Sequence, residues 1–92
     1  MVKKRKVATR GIHRRSAYAP EFEALTQRLR QNILRLRLEK GLTQEQMQDF
    51  ELSLRQFQRI ESGETVNVTL SNLFKIAKAL GVGVGELLEF YF

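Results

Sequence analysis

An all-α fold is predicted for this chain of 92 residues by three observations. Apolar residues recur at spacings of three and four in two stretches, Phe22 to Leu36 and Leu70 to Leu80, as one buried helix face requires. Glycines stand directly after the helical stretches, at Gly41, Gly63 and Gly81, where a left-handed residue closes a helix. No segment reads as a strand, and none repeats another. The length fits one core rather than two. The expected architecture is a compact five-helix domain over residues 20–92, with an extended first helix and a basic, disordered N-terminal tail over residues 1–19.

The tail carries Lys3, Lys4, Arg5, Lys6, Arg10, Arg14 and Arg15 and no acid. Its sizeable apolar side chains are Val2, Val7, Ile12 and Tyr18, too few to offset the entropy of ordering it alone. Arg14 and Arg15 join the first helix if its cap lies further upstream. Pro20 is expected at the first helical position, with Glu21 and Glu23 complementing the dipole of the first turn. Phe22, Leu25, Leu29, Ile33 and Leu36 form the inner face, and Gly41 ends the helix. About twenty residues is long for so small a domain, so its first turns are expected to overhang the core.

Two short helices joined by a tight turn are expected next, over about residues 43–50 and 53–61. Thr43 and Gln46 have the spacing of a capping box, and Met47 and Phe50 are the burying residues. Glu51-Leu52-Ser53 breaks the pattern, and Ser53 caps the second helix of the pair. There Phe57 and Ile60 lie three apart and face inward, which leaves Leu54, Arg55, Gln56, Gln58 and Arg59 outside. An outer face of arginine and glutamine, rather than glutamate and lysine, offers forked donors that match base edges and phosphates. A fourth helix is expected after the Thr69 cap, with Leu70, Leu73, Phe74, Ile76, Ala77 and Leu80 as its apolar face and Lys75 and Lys78 near its C-terminal end. A short fifth helix, about Val84 to Phe90, buries Leu87 and Leu88. The terminal Phe90-Tyr91-Phe92 is expected either to pack near Phe22 or to meet a second subunit.

The charge is placed unevenly. Residues 1–19 hold seven basic residues and the remainder nine, against ten acids, so the net charge of +6 comes from the tail. Such a footprint favours a polyanion, nucleic acid before anionic membrane. A membrane role needs a second anchoring signal, for which three terminal aromatics are too short. The chain has no cysteine, and its one histidine, His13, sits in the tail without ligand companions. No metal, cofactor or disulfide is therefore expected. No apolar run approaches the ~18–20 residues of a membrane span, and no apolar segment follows the basic N-terminus as in a secretory signal. With no glycine-rich phosphate loop and no evident carboxylate pair in a pocket, an enzyme is not expected. A cytoplasmic protein is.

From about Leu29 to Leu88 the sequence resembles the lambda-repressor-like helix-turn-helix domains, the Cro/phage-repressor or XRE family of bacteria and phages. The resemblance is carried by Ile33…Arg37…Gly41-Leu42-Thr43-Gln44-Glu45, then Ser53-Leu54-Arg55…Gln58-Arg59-Ile60-Glu61-Ser62-Gly63, then Leu70…Leu73…Ile76-Ala77-Lys78-Ala79-Leu80-Gly81-Val82, and Glu86-Leu87-Leu88. It implies that Leu54, Arg55 and Arg59 face base edges in the major groove. Gln44 grips a phosphate from the start of its helix, Gln56 and Gln58 lie nearer the DNA backbone or flanking bases, and Asn67 lies at the backbone. Arg37 and Glu61 match a buried ion pair between the first helix and the second motif helix. The position of Arg37 beside the apolar seam, and of Glu61 after Ile60, independently favours that pairing.

The function expected is a sequence-specific transcriptional regulator, a repressor or an activator, nucleoid-associated and bound as a homodimer to a palindromic operator. The candidate dimer contact combines Phe22 with Phe90, Tyr91 and Phe92. The alternative from the same resemblance is a protein-bridging module, in which a basic N-terminal extension and this helical domain connect other proteins. The loop Val66-Asn67-Val68-Thr69-Leu70 resembles that of restriction-modification controller proteins. Antitoxin and stand-alone regulator roles fit equally.

Overall fold

The computed structural model describes residues 15–64 and 68–89. Among them four α-helices and one 3-10 helix follow in order: α1 (Ala19–Glu39), the 3-10 helix (Glu45–Phe50), α2 (Leu54–Ser62), α3 (Leu70–Leu80) and α4 (Val84–Leu87), with no strand. The basic residues Lys3, Lys4, Arg5, Lys6, Arg10 and Arg14, together with Asn67 and the aromatics Phe90, Tyr91 and Phe92, lie outside the described residues.

α1 starts one residue earlier than the proline predicts, so Pro20 is its second residue. Tyr18 stands at the N-cap without a side-chain cap bond, and its N–H is taken by the Ser16 hydroxyl at 3.0 Å. Twenty-one residues at about 1.5 Å each give a rod of about 30 Å. Its buried stripe is Ala19, Leu29, Ile33 and Arg37, whereas Phe22, Leu25 and Leu36 are only half-buried. At its far end Leu42 N–H reaches Arg37 O at 3.1 Å and Gly41 N–H reaches Leu38 O at 3.0 Å, an ending that needs the φ of +72° seen at Gly41.

The first motif helix departs from expectation: it is a 3-10 helix rather than an α-helix. The stretch is hemmed in at both ends. Thr43 and Gln46 form the reciprocal capping box, with Gln46 N–H on Thr43 Oγ1 at 3.1 Å and Thr43 N–H on Gln46 Oε1 at 2.8 Å. Glu51 then turns the chain at φ +65°. The six residues between those stops hold fewer than two α-turns. Met47 is fully buried, Phe50 only half. The left-handed turn also swings Leu52 back into the core, where it is buried although it lies outside any helix.

Glu51 is the one non-glycine residue with positive φ among those described, and its side chain is exposed. A left-handed conformation costs an L-residue roughly 1–2 kcal/mol, while glycine loses about 0.5–1 kcal/mol more backbone entropy on folding. Glu51→Gly is therefore expected to stabilise the chain by up to about 1 kcal/mol, read as a rise of a few degrees in Tm by thermal circular dichroism. An unchanged or lower Tm would show that the carboxylate compensates for the strain.

The core gathers Leu29, Ile33, Met47, Leu52, Phe57, Ile60, Ile76, Ala77, Leu80 and Leu87, one or more from every helix. On α3 the apolar face is narrower than predicted. Ile76, Ala77 and Leu80 are buried and Leu73 packs at the edge, but Leu70 and Phe74 stand 73% and 55% exposed. Lys78 lies over the Phe74 ring at 5.7 Å, one turn on. α4 is one turn rather than two, and ends at Leu87 instead of reaching Phe90. Glu86 caps its start through Gly83 N–H at 2.9 Å. Asn32 Nδ2 donates to Leu87 O at 3.0 Å, which ties this last turn to α1.

Candidate nucleic-acid interface

The face of interest is built from α2 outward. Ser53 leaves the helical conformation and its hydroxyl takes Gln56 N–H at 3.2 Å, so the helix starts cleanly at Leu54. Phe57 and Ile60 then anchor one side in the core. The opposite side carries Arg55, Gln56, Gln58 and Arg59, all exposed, with Leu54 half-buried at the edge rather than fully outside. Among the described residues neither Arg55 nor Arg59 pairs with a carboxylate. Their guanidinium donors are therefore not committed to an acid.

The C-terminal end of α2 is held by three side chains of α1 and the preceding loop. Arg37 forks onto Glu61, Nε to Oε2 at 2.7 Å and Nη2 to Oε1 at 2.9 Å. Both residues are buried, at 8% and 5% exposure. The third guanidinium arm, Nη1, donates to Leu42 O at 2.7 Å and so fixes the loop that leads into the motif. Gln44 Nε2 donates to Glu61 Oε1 at 2.7 Å, and Gln44 Oε1 accepts from Gln58 Nε2 at 3.3 Å. Arg30 Nη1 adds a bond to Glu61 O at 3.2 Å. Two of these ties go beyond the sequence expectation: the bond from Arg30, which precedes Arg37 by seven residues and so shares its face of α1, and the bond from Gln44 to Glu61.

The structure thus brings Arg37, Gln44, Gln58 and Glu61 into one network and leaves Arg55, Gln56 and Arg59 exposed on α2, with Leu54 half-buried at its edge. Phe22 is elsewhere, in a shallow open groove on the first turns of α1 with Tyr18, Glu21 and Leu25. Arg15 is exposed in the turn before α1. Residues 15–92 hold equal numbers of acids and bases, so the net charge of +6 resides entirely in residues 1–14. Among the described residues no three His, Cys, Asp or Glu side chains gather as a metal site requires, and no helix is long and apolar enough to cross a membrane.

The family model of the Cro/C1-type HTH DNA-binding domain matches residues 32–92. That span runs from the middle of α1 to the end of the chain and includes both motif helices. No curated protein and no solved structure matches the chain.

Proposed function

The chain belongs to the Cro/C1-type helix-turn-helix DNA-binding family, and from that premise we propose a sequence-specific transcriptional regulator that binds double-stranded DNA as a homodimer. α2 enters the major groove, and Arg55 and Arg59 pair with guanine O6 and N7 while Leu54 meets a thymine methyl. Gln44, Gln56 and Gln58 lie against the backbone, with Asn67 beside them. The observation that carries this reading is the exposed, acid-free pair Arg55 and Arg59 on a short helix pinned at both ends. A base-reading side chain gains specificity only if its helix cannot rock. The protein acts by occupancy rather than catalysis, as a repressor at a palindromic operator in the cytoplasm of a bacterium or phage host.

Residues 1–14 supply the long-range attraction. Their six cations neutralise phosphates without reading sequence. If they meet about four phosphates, removing residues 1–14 flattens the slope of log K against log salt by about 3–4 units. The rank order of preferred duplexes is expected to stay the same. A changed sequence preference would instead place the tail among the base readers.

Dimerisation is assigned to the first turns of α1, where Tyr18 is exposed and Phe22 lines the open groove, together with Phe90, Tyr91 and Phe92. Leu70 and Phe74 on α3 offer a second exposed apolar pair. Sedimentation equilibrium separates them: Phe22→Glu is expected to give monomers and Phe74→Glu to leave dimers. The converse result moves the interface to α3. The DNA-binding reading itself is tested by selecting duplexes from a random pool. Enrichment of two inverted half-sites about one helical turn apart, roughly 34–36 Å, is expected. No enrichment at any salt would refute it.

A further inference from the structure

Glu61 does more than neutralise Arg37, because its carboxylate also receives Gln44. An ionised carboxylate can only accept hydrogen bonds, whereas a glutamine amide has a donating and an accepting end. Facing Glu61 Oε1 at 2.7 Å, Gln44 must turn its NH2 group inward. Its carbonyl oxygen is thereby turned away, and there it meets Gln58 at 3.3 Å. Gln58 must then donate, so its NH2 group is fixed as well. Each of the two amides uses one N–H inside the network and keeps a second. A DNA phosphate, whose oxygens only accept, is the ligand that two such N–H groups match. A reversed Gln44 would put its carbonyl against the carboxylate and leave Gln58 without its acceptor.

We propose that Glu61 is a positioning residue for DNA binding: it sets the orientation of the Gln44 amide, and through it that of Gln58, so that both present N–H donors to a backbone phosphate. Arg37 completes the device, since Nη1 on Leu42 O places the loop while Glu61 orients the side chain that the loop carries. The inference rests on the DNA-binding reading above. It assigns to the buried pair a role that its contribution to stability does not contain.

The two roles separate in the double variant Arg37→Met/Glu61→Leu. Apolar replacement of a buried ion pair often leaves stability unchanged, but it removes the acceptor that orients Gln44. For the duplex enriched from the random pool, Kd is expected to rise at least about tenfold, the loss of one hydrogen bond to a charged phosphate. Gln44→Ala alone is expected to do the same, and adding it to the double variant to cause no further loss. A folded double variant that binds as tightly as the unaltered chain overturns the proposal. So does a Gln44→Ala effect that is as large in the double variant as outside it. Should the double variant not fold, hydrogen exchange of the side-chain amides in the unaltered protein decides: Gln44 is expected to exchange more slowly than the exposed Gln56, and equal rates overturn the proposal. Binding that persists without this coupling removes the positioning role alone. Absence of binding to any duplex removes the DNA reading, and the positioning role with it.

Discussion

Glu61→Ala is expected to lower the unfolding free energy by about 3–5 kcal/mol, because it leaves a buried guanidinium without its counter-charge. Arg37 gives two of its arms to that carboxylate, at 2.7 and 2.9 Å, and at 8% exposure has little water to turn to. A domain of this size has roughly 5–15 kcal/mol in all, so much of its stability is at stake. Arg37→Ala is expected to be as harmful, since it strands Glu61 and also removes the donor to Leu42 O. By contrast, Arg37→Met/Glu61→Leu should lie within about 1–2 kcal/mol of the starting protein, because nothing charged is left behind. Urea denaturation of the three variants checks the pattern. A loss below about 1 kcal/mol for Glu61→Ala would mean that the pair is hydrated in solution.

Arg55→Ala and Arg59→Ala are each expected to weaken binding to the selected duplex by about 1–3 kcal/mol, roughly 5- to 150-fold, while stability moves by no more than about 0.5 kcal/mol. The two effects part because both side chains project from the outer face of α2, clear of the Phe57 and Ile60 anchors. Arg→Lys at either position should recover part of the affinity on any duplex but little of the preference. Lysine keeps the charge but lacks the planar fork that engages O6 and N7 together. Fluorescence anisotropy with the selected duplex and a scrambled one separates these terms. Equal losses on both duplexes would make the arginines phosphate contacts instead.

Helix ends set by a capping hydroxyl or a closing glycine are legible because they depend on single residues. Ser53 and Thr69 each cap through their own hydroxyl, and Gly41, Gly63 and Gly81 each adopt positive φ. The winding of the first motif helix is not. Met47 and Phe50 lie three apart, a spacing that serves a 3-10 helix as well as an α-helix, and the choice came from the Thr43 box and the turn at Glu51. On α3 six apolar positions span more of the helix surface than the core can cover. Only the neighbouring elements decide that Leu70 and Phe74 form the edge left in water. In the candidate site, the outer face of α2 could be read from the spacing of Phe57 and Ile60. The bonds from Arg30 to Glu61, across 31 positions, and from Asn32 to Leu87, across 55, could not. Contacts so far apart in sequence leave no local signature.

Whether α2 reads bases in the major groove is tested most directly by atomic substitution in the DNA. In the selected duplex, each guanine is replaced in turn by its 7-deaza analogue, which keeps Watson–Crick pairing but lacks the N7 acceptor, and affinity is measured for the unaltered protein and for Arg55→Ala. At one guanine in each half-site, affinity for the unaltered protein is expected to fall about tenfold, while Arg55→Ala is indifferent to the change at that position. Full affinity at every substituted guanine, combined with loss of binding when residues 1–14 are removed, would contradict base reading by α2 and leave the tail as the only DNA contact.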